Sequence, residues 1–458
     1  MDELHRLLSK AADAAAEYRA GLADRPVAAV VDAETLRKGF GGPLPQGPSP
    51  ADAVLDELIA AAEPGLVASA GPRYFGFVIG GALPAATAAD VLAAGWDQNA
   101  YSPVMSPAAV AAEACAGDWL KDLLGLPPTA SVGFVTGAQE ANTVGLATGR
   151  HAVLSAAGWD VERDGLQGAP ALRIIASEER HATVDRSVRL LGMGTASIEP
   201  VAADHNGAIH VDDLARVLGR RASGPAVVCL QAGNVNTGAC DDLRAATEVA
   251  HGHGAWVHVD GAFGLWAAAS PTTRQLVDGV ELADSWGCDG HKWLNVPYDS
   301  GFVFTANPDA HAASVSYSAS YLQGSGTSSY ALGDLVLGSS RRARGFAVWA
   351  ALRELGRSGV ADLIERTCSL ARRFADGLSA GGVEVANDVV LNQVLVSFGS
   401  DERTDRVIAA VQHDGTCWMG GTTWHGRRLM RISVSNWSTT EADVDRSVAA
   451  ILRLAGAL

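Results

Sequence analysis

The chain has 458 residues, 48% hydrophobic and 19% charged, with a formal net charge of −16. That length and balance describe a globular protein with substantial cores. The negative charge argues against a nucleic-acid or anionic-membrane partner, since both require a basic surface. Six scattered cysteines without a CxxC pair argue against zinc, other metal sites and disulfide scaffolds, and predict reduced thiols in a cytoplasm.

Leu4, Leu7, Leu8 and Ala11 recur at helical spacing, so residues 1–70 are expected to form helices joined by a Gly/Pro-rich loop at Gly39–Pro50. The N-terminus has charges inside its apolar periodicity, unlike a signal peptide. No apolar run is long enough to span a membrane. A helical arm this short cannot bury its own stripe, and a second copy of the chain is a candidate cover.

From about residue 86, helices and strands alternate. Ser106-Pro107 reads as an N-cap followed by proline at the first helical position. Apolar, β-branched runs at Ser131–Val135, Leu172–Ala176, Ala226–Leu230, Trp256–Val259 and Phe302–Thr305 predict strands buried on both faces of a mostly parallel sheet. Beyond Arg341 a helix over Phe346–Leu355 leads to a smaller unit. It has a strand at Val390–Phe398, a helix around Thr404–His413, an antiparallel pair through Cys417–Ser435 and a last helix from Thr440. The expected division is 1–85, 86–340 and 341–458.

Four short segments carry chemistry. Lys292 stands in Asp289-Gly290-His291-Lys292-Trp293-Leu294-Asn295, between apolar runs that can desolvate its amine. Read alone, it is either a Schiff-base lysine or a lysine snorkelling at a strand end. Asp260 ends a buried strand, where a carboxylate is costly without a cationic partner, although it could equally cap the next turn. Thr136-Gly137-Ala138-Gln139 opens a helix with small residues, so free N–H groups and the helix dipole can receive an anion. His181 follows the strand at Leu172–Ala176, on the edge where ligands bind in open α/β sheets. Each signal is weak singly, but each follows its own strand, so the four converge on one rim.

The set resembles the pyridoxal 5′-phosphate (PLP)-dependent group II amino-acid decarboxylases, the family of aromatic amino-acid, glutamate, histidine and tyrosine decarboxylases. His291-Lys292-Trp293 is similar to the family's PLP-lysine motif, and His258-Val259-Asp260-Gly261-Ala262-Phe263 to its HVDAA-type motif, some thirty residues upstream. The likeness runs from Gly71-Pro72-Arg73-Tyr74-Phe75 to Arg341-Arg342-Ala343-Arg344. It implies an α/β, fold-type-I enzyme. A large domain with a mostly parallel seven-stranded sheet flanked by helices would carry an N-terminal helical arm and a small α+β C-terminal domain. It also implies PLP as cofactor, an amino-acid substrate converted to amine and carbon dioxide, and a homodimer.

The resemblance further implies individual roles. Lys292 is the Schiff-base lysine, Asp260 pairs with the pyridinium nitrogen, and His181 stacks on the ring. Gly137, Ala138, Gln139 and His291 hold the phosphate, Ala262 packs under the ring, and Asp289 lies near the phosphate. Asn236 falls where the family often has threonine near the cofactor. Phe77, Ile79, Gly80 and Tyr101 border the substrate pocket, whose composition suggests an apolar side chain. The family's proton donor is a loop tyrosine, for which Tyr330 is the candidate here. A gap-free match instead places Leu332 at that position. In the family, loss of that tyrosine accompanies aldehyde formation, so other PLP reactions stay open: aldehyde-forming deamination, carbon–carbon lysis, and transamination with Arg431 as carboxylate clamp. A degenerate, inactive homologue is disfavoured by intact Lys292, Asp260 and His181.

Overall fold

The computed structural model describes residues 2–29, 31–220, 224–316 and 331–458. Its centre is a seven-stranded sheet: β1 (Ser131–Val135), β2 (Arg173–Ser177), β3 (Ile198–Val201), β4 (Ala226–Gln231), β5 (Trp256–Asp260), β6 (Ser285–Asp289) and β7 (Gly301–Thr305). The spatial order is β1-β7-β6-β5-β4-β2-β3. Strands β3, β2, β4, β5 and β6 run parallel, while β7 is antiparallel to both β6 and β1. Every residue of β2, β4, β5, β6 and β7 is buried; in β2, β4, β5 and β7 this matches the near-continuous apolar runs of strands covered on both faces.

Because β1 is antiparallel to a strand that is itself antiparallel to β6, the carboxyl ends of β1, β2, β4, β5 and β6 share one edge. That edge positions the site. Local rules set the connecting helices. Ser106 accepts from Ala109 N at 3.2 Å and opens Pro107–Leu124, which ends at Gly125 in the left-handed region. Asp242 caps Leu243–Gly252 in the same manner.

The helix expected over Phe346–Leu355 runs on from Gly345 to Ala380, with non-helical backbone at Gly356. Its first half packs Ala347, Val348 and Ala351 into the large core, and its second half packs Leu370, Phe374 and Leu378 into a separate core. One helix thus serves both units, because its apolar stripe continues across the break. The small unit adds a four-stranded antiparallel sheet: β8 (Glu384–Val385), β9 (Gln393–Ser397), β10 (Gly420–Trp424) and β11 (Arg427–Ser433), in the order β10-β11-β9-β8. Thr440 and Asp443 form a capping box that starts the last helix, Glu441–Gly456.

The N-terminal helices Glu3–Ala20, Ala33–Phe40 and Ala51–Ala62 contain no buried residue. Among the described residues, no helix is long and apolar enough to cross a membrane.

Candidate active site

A cavity of about 290 Å³ opens at the carboxyl edge of the large sheet. It is lined by Gly137, Ala138 and Gln139 after β1, His181 and Thr183 after β2, and Gln231, Gly233 and Val235 around the end of β4. Asp260, Ala262 and Phe263 from β5, and Asp289, His291 and Lys292 from β6, complete it. Topology alone brings these distant segments together.

Lys292 Nζ lies 2.9 Å from Asp289 Oδ2. The other oxygen of Asp289 accepts from Ala138 N at 2.6 Å, at the start of the helix Ala138–Ala156. Backbone packing fixes the lysine: a Cβ on Gly80 would run into the Lys292 carbonyl oxygen. On the following turn, His291 Nδ1 accepts from Ser300 N at 3.2 Å, and its ring stacks on Tyr298 at 4.4 Å. Burial pushes the His291 imidazole below its ordinary value, against the opposing charge of Asp289.

Asp260 is 5% exposed. Its hydrogen bonds are long, 3.3 Å from Ala262 N and 3.4 Å from Thr183 Oγ1, and no cation among the described residues pairs with it. A buried carboxylate is costly to leave without a cationic partner. His181 caps the helix Ala182–Leu190, its Nδ1 2.9 Å from Thr183 Oγ1. Burial lowers its imidazole below the ordinary value; Asp260 opposes this, and Lys292 and Arg431 reinforce it.

Some expected residues turn their side chains away or stand apart from the cavity lining. Gln139 directs its amide to Ser187 Oγ at 3.0 Å, leaving only its backbone to face an anion. Asn236 Oδ1 accepts from Thr422 Oγ1 at 2.8 Å and so ties the large unit to β10. Tyr101 is buried, with its hydroxyl 3.3 Å from Asp334 Oδ1. Phe77 is exposed and stacks on Trp418, which also stacks on Tyr74 at 4.9 Å. Phe77 and Val78 both hold left-handed backbone, between Phe75 N, which donates to Trp418 O, and Ile79 N, which donates to Gly76 O. Arg431 donates to the Val235 carbonyl at 3.3 Å. Tyr330 lies outside the described residues. Leu332 opens a short 3-10 turn, Leu332–Leu335.

Thr183, Gln231, Gly233 and Val235 were missed from sequence. Only their proximity to strand ends marked them.

The family described as a pyridoxal-dependent decarboxylase conserved domain matches residues 34–399. Tryptophan decarboxylase 1 of Oryza sativa subsp. japonica is 27% identical, across 95% of this chain and 90% of its own length. Phenylacetaldehyde synthase of Arabidopsis thaliana is 26% identical, across 94% and 91%. A crystal structure of Oryza sativa TDC with PLP and tryptamine superposes with a TM-score of 0.92 at 26% identity, covering 100% of this chain and 98% of that one.

Proposed function

This chain belongs to the family of pyridoxal-dependent decarboxylases and is therefore a PLP-dependent carboxy-lyase acting on an amino acid, and we propose that Lys292 holds its cofactor. The observation that carries this assignment is that the Lys292 amine and the buried Asp260 carboxylate, with which no cation among the described residues pairs, line one cavity. Asp260 would find a cationic partner in the protonated pyridine nitrogen of a bound PLP. The cavity thus fits the cofactor's chemistry from both ends.

When bound, PLP supplies an electron sink for the pair released as the Cα–carboxylate bond breaks. Asp260 would hold the proton on the pyridine nitrogen. The N–H groups of Ala138 and Gln139, with His291, would hold the phosphate at the helix start. His181 and Ala262 would flank the ring and exclude water from it.

The substrate assigned is an amino acid with an aromatic or large apolar side chain. Support comes from the aromatic surface of Phe77, Trp418 and Tyr74, and from Tyr298 stacked on His291 beside the lysine. The two plant relatives, named for tryptophan decarboxylation and phenylacetaldehyde synthesis, agree with it. A homodimer is assigned as well, with the uncovered arm helices crossing a second copy.

Borohydride reduction of the holoenzyme followed by peptide mapping tests the lysine. Label on Lys292 is expected; label on another lysine rejects the assignment. Parallel assays for carbon dioxide, amine, aldehyde and ammonia test the reaction, with amine and carbon dioxide expected in equal amounts.

A further inference from the structure

Behind the cavity runs a chain of hydrogen bonds through residues that do not line it. Trp256 Nε1 donates to Ser285 Oγ at 2.9 Å, and an indole N–H can only donate. The Ser285 hydroxyl proton is then free for His258 Nδ1, also 2.9 Å away. His258 is fully buried in a slot that a Cβ on Gly145 would fill, and burial pushes its imidazole down to about 4. The ring is neutral, so with Nδ1 accepting, its single proton sits on Nε2 and reaches Asn142 Oδ1 at 3.1 Å. Asn142 Nδ2 in turn donates to Thr183 Oγ1 at 3.1 Å.

The chain ends at a choice. Thr183 has received one proton and has one to give. Two acceptors lie near it: His181 Nδ1 at 2.9 Å and Asp260 Oδ2 at 3.4 Å. The Thr183 backbone N–H also points at His181 Nδ1, at 3.3 Å. The reverse amide orientation of Asn142 would take Thr183's proton for itself and leave the Ser285 hydroxyl without this acceptor. The direction from Trp256 outward therefore satisfies more donors.

We propose that Thr183 is a positioning residue: aimed by Asn142, His258, Ser285 and Trp256, its hydroxyl fixes neutral His181 as the Nε2–H form and shares its proton with Asp260. The two residues assigned to the ring face and the ring nitrogen are thereby oriented by one hydroxyl. The buried core, rather than solvent, sets their hydrogen bonding. A neutral imidazole with its lone pair tied down at Nδ1 presents one defined donor, so it has one way to meet a substrate. The importance of this for turnover rests on the PLP assignment; the His181 tautomer does not.

The test compares Thr183→Val, which keeps the shape, with Thr183→Ser, which keeps the hydroxyl. In the PLP-free chain, nitrogen NMR of 15N-histidine-labelled protein reads the His181 ring, assigned through His181→Gln. The native chain should show separate acceptor and donor nitrogens for neutral His181, and Thr183→Val should move both signals towards their average. With PLP added, Thr183→Val should bind the cofactor about tenfold more weakly and lower kcat about 10- to 100-fold, with KM within about threefold, the scale of one hydrogen bond to a charged group. Thr183→Ser should restore all of these.

Unchanged His181 signals in Thr183→Val, or equal impairment of the serine and valine variants, would overturn the proposal. Should Thr183→Val not fold, Asn142→Asp carries the same test. Its carboxylate only accepts, so it draws the Thr183 proton away, and unaltered His181 signals there would also overturn it. Because the NMR readout needs no cofactor, an error in the PLP assignment would leave it standing.

Discussion

Asp289 is the residue through which Lys292 touches the start of the helix Ala138–Ala156: one oxygen lies 2.9 Å from Nζ, the other 2.6 Å from Ala138 N. A phosphate arriving at that N–H has to compete with a carboxylate already bound there. Asp289→Asn removes the like charge while keeping an acceptor and adding a donor. We expect this variant to bind PLP about three- to tenfold more tightly, corresponding to about 1 kcal/mol of relieved repulsion. The PLP-free chain should lose about 1 kcal/mol of stability, since Lys292 gives up its charged partner in a half-open setting. Cofactor titration and urea unfolding of the same preparation check both, and weaker PLP binding would reject the competition.

Asp260→Asn separates a ring partner from a turn cap. Among the described residues the wild-type carboxylate makes only hydrogen bonds of 3.3 and 3.4 Å and has no cation beside it, so removing its charge should leave the PLP-free chain equally or more stable. Turnover per folded holoenzyme should fall by several powers of ten, because a lost buried charge pair is worth about 3–5 kcal/mol and each 1.4 is about tenfold. PLP should still bind, more weakly, through Lys292 and the helix start. Normal turnover combined with a lower melting temperature would make Asp260 a cap instead.

The ease of reading these residues differed for physical reasons. Strands β2, β4, β5 and β7 are legible because strands buried on both faces favour near-continuous apolar runs, β1 because Val132–Val135 is apolar, and the expected bounds of all five lie within one residue of the observed ones at either end. Strand β3 carries Glu199 and Pro200 in four residues at the sheet edge, where neither the pattern nor the ladder demands apolar side chains. Strand β6, Ser285–Asp289, hides because Gly287 and its polar ends break the run, although all five residues are buried. Lys292, Asp260 and His181 were legible as chemistry without a partner. Thr183 and Asn142 were not, since their meaning lies in partners more than forty residues away.

His258 should leave a signature in the pH dependence of stability. An unfolded chain protonates this ring near the ordinary value of about 6.5, whereas burial holds the folded ring at about 4. Between these values the unfolded state binds more protons, so stability is full above the upper value and is lost as pH falls towards the lower one. From pH 7 to 5 this one ring should remove about 2 kcal/mol. His258→Gln should start less stable at pH 7 and show a correspondingly shallower loss. His311, held at about 4 by the same cause, contributes equally to both proteins and cancels. Parallel slopes in the two proteins, from denaturant unfolding at both pH values, would reject a neutral buried His258.

The last prediction concerns the arm. Leu4, Leu8, Val54 and Leu58 are about half exposed or more, at 64%, 52%, 49% and 53%. Leu55, Leu58 and Ile59 face Ala11, Ala14 and Ala15 across a cavity of about 610 Å³ between the first and third arm helices. Covering one leucine of this kind is worth about 1.5–3 kcal/mol, so a second copy laid across the arm gains several such increments at each of two equivalent contacts. Leu8→Glu combined with Leu58→Glu keeps helix-compatible residues on the surface but charges the face that has to be covered. Sedimentation should find the native chain at the mass of two copies and the double variant at the mass of one, with intact helical circular dichroism. Turnover of the separated copies should fall by at least about tenfold if the covered arm also shapes the neighbouring site. A double variant that stays paired would move the interface away from these helices, and a native chain that sediments as a single copy while fully active would remove the homodimer altogether.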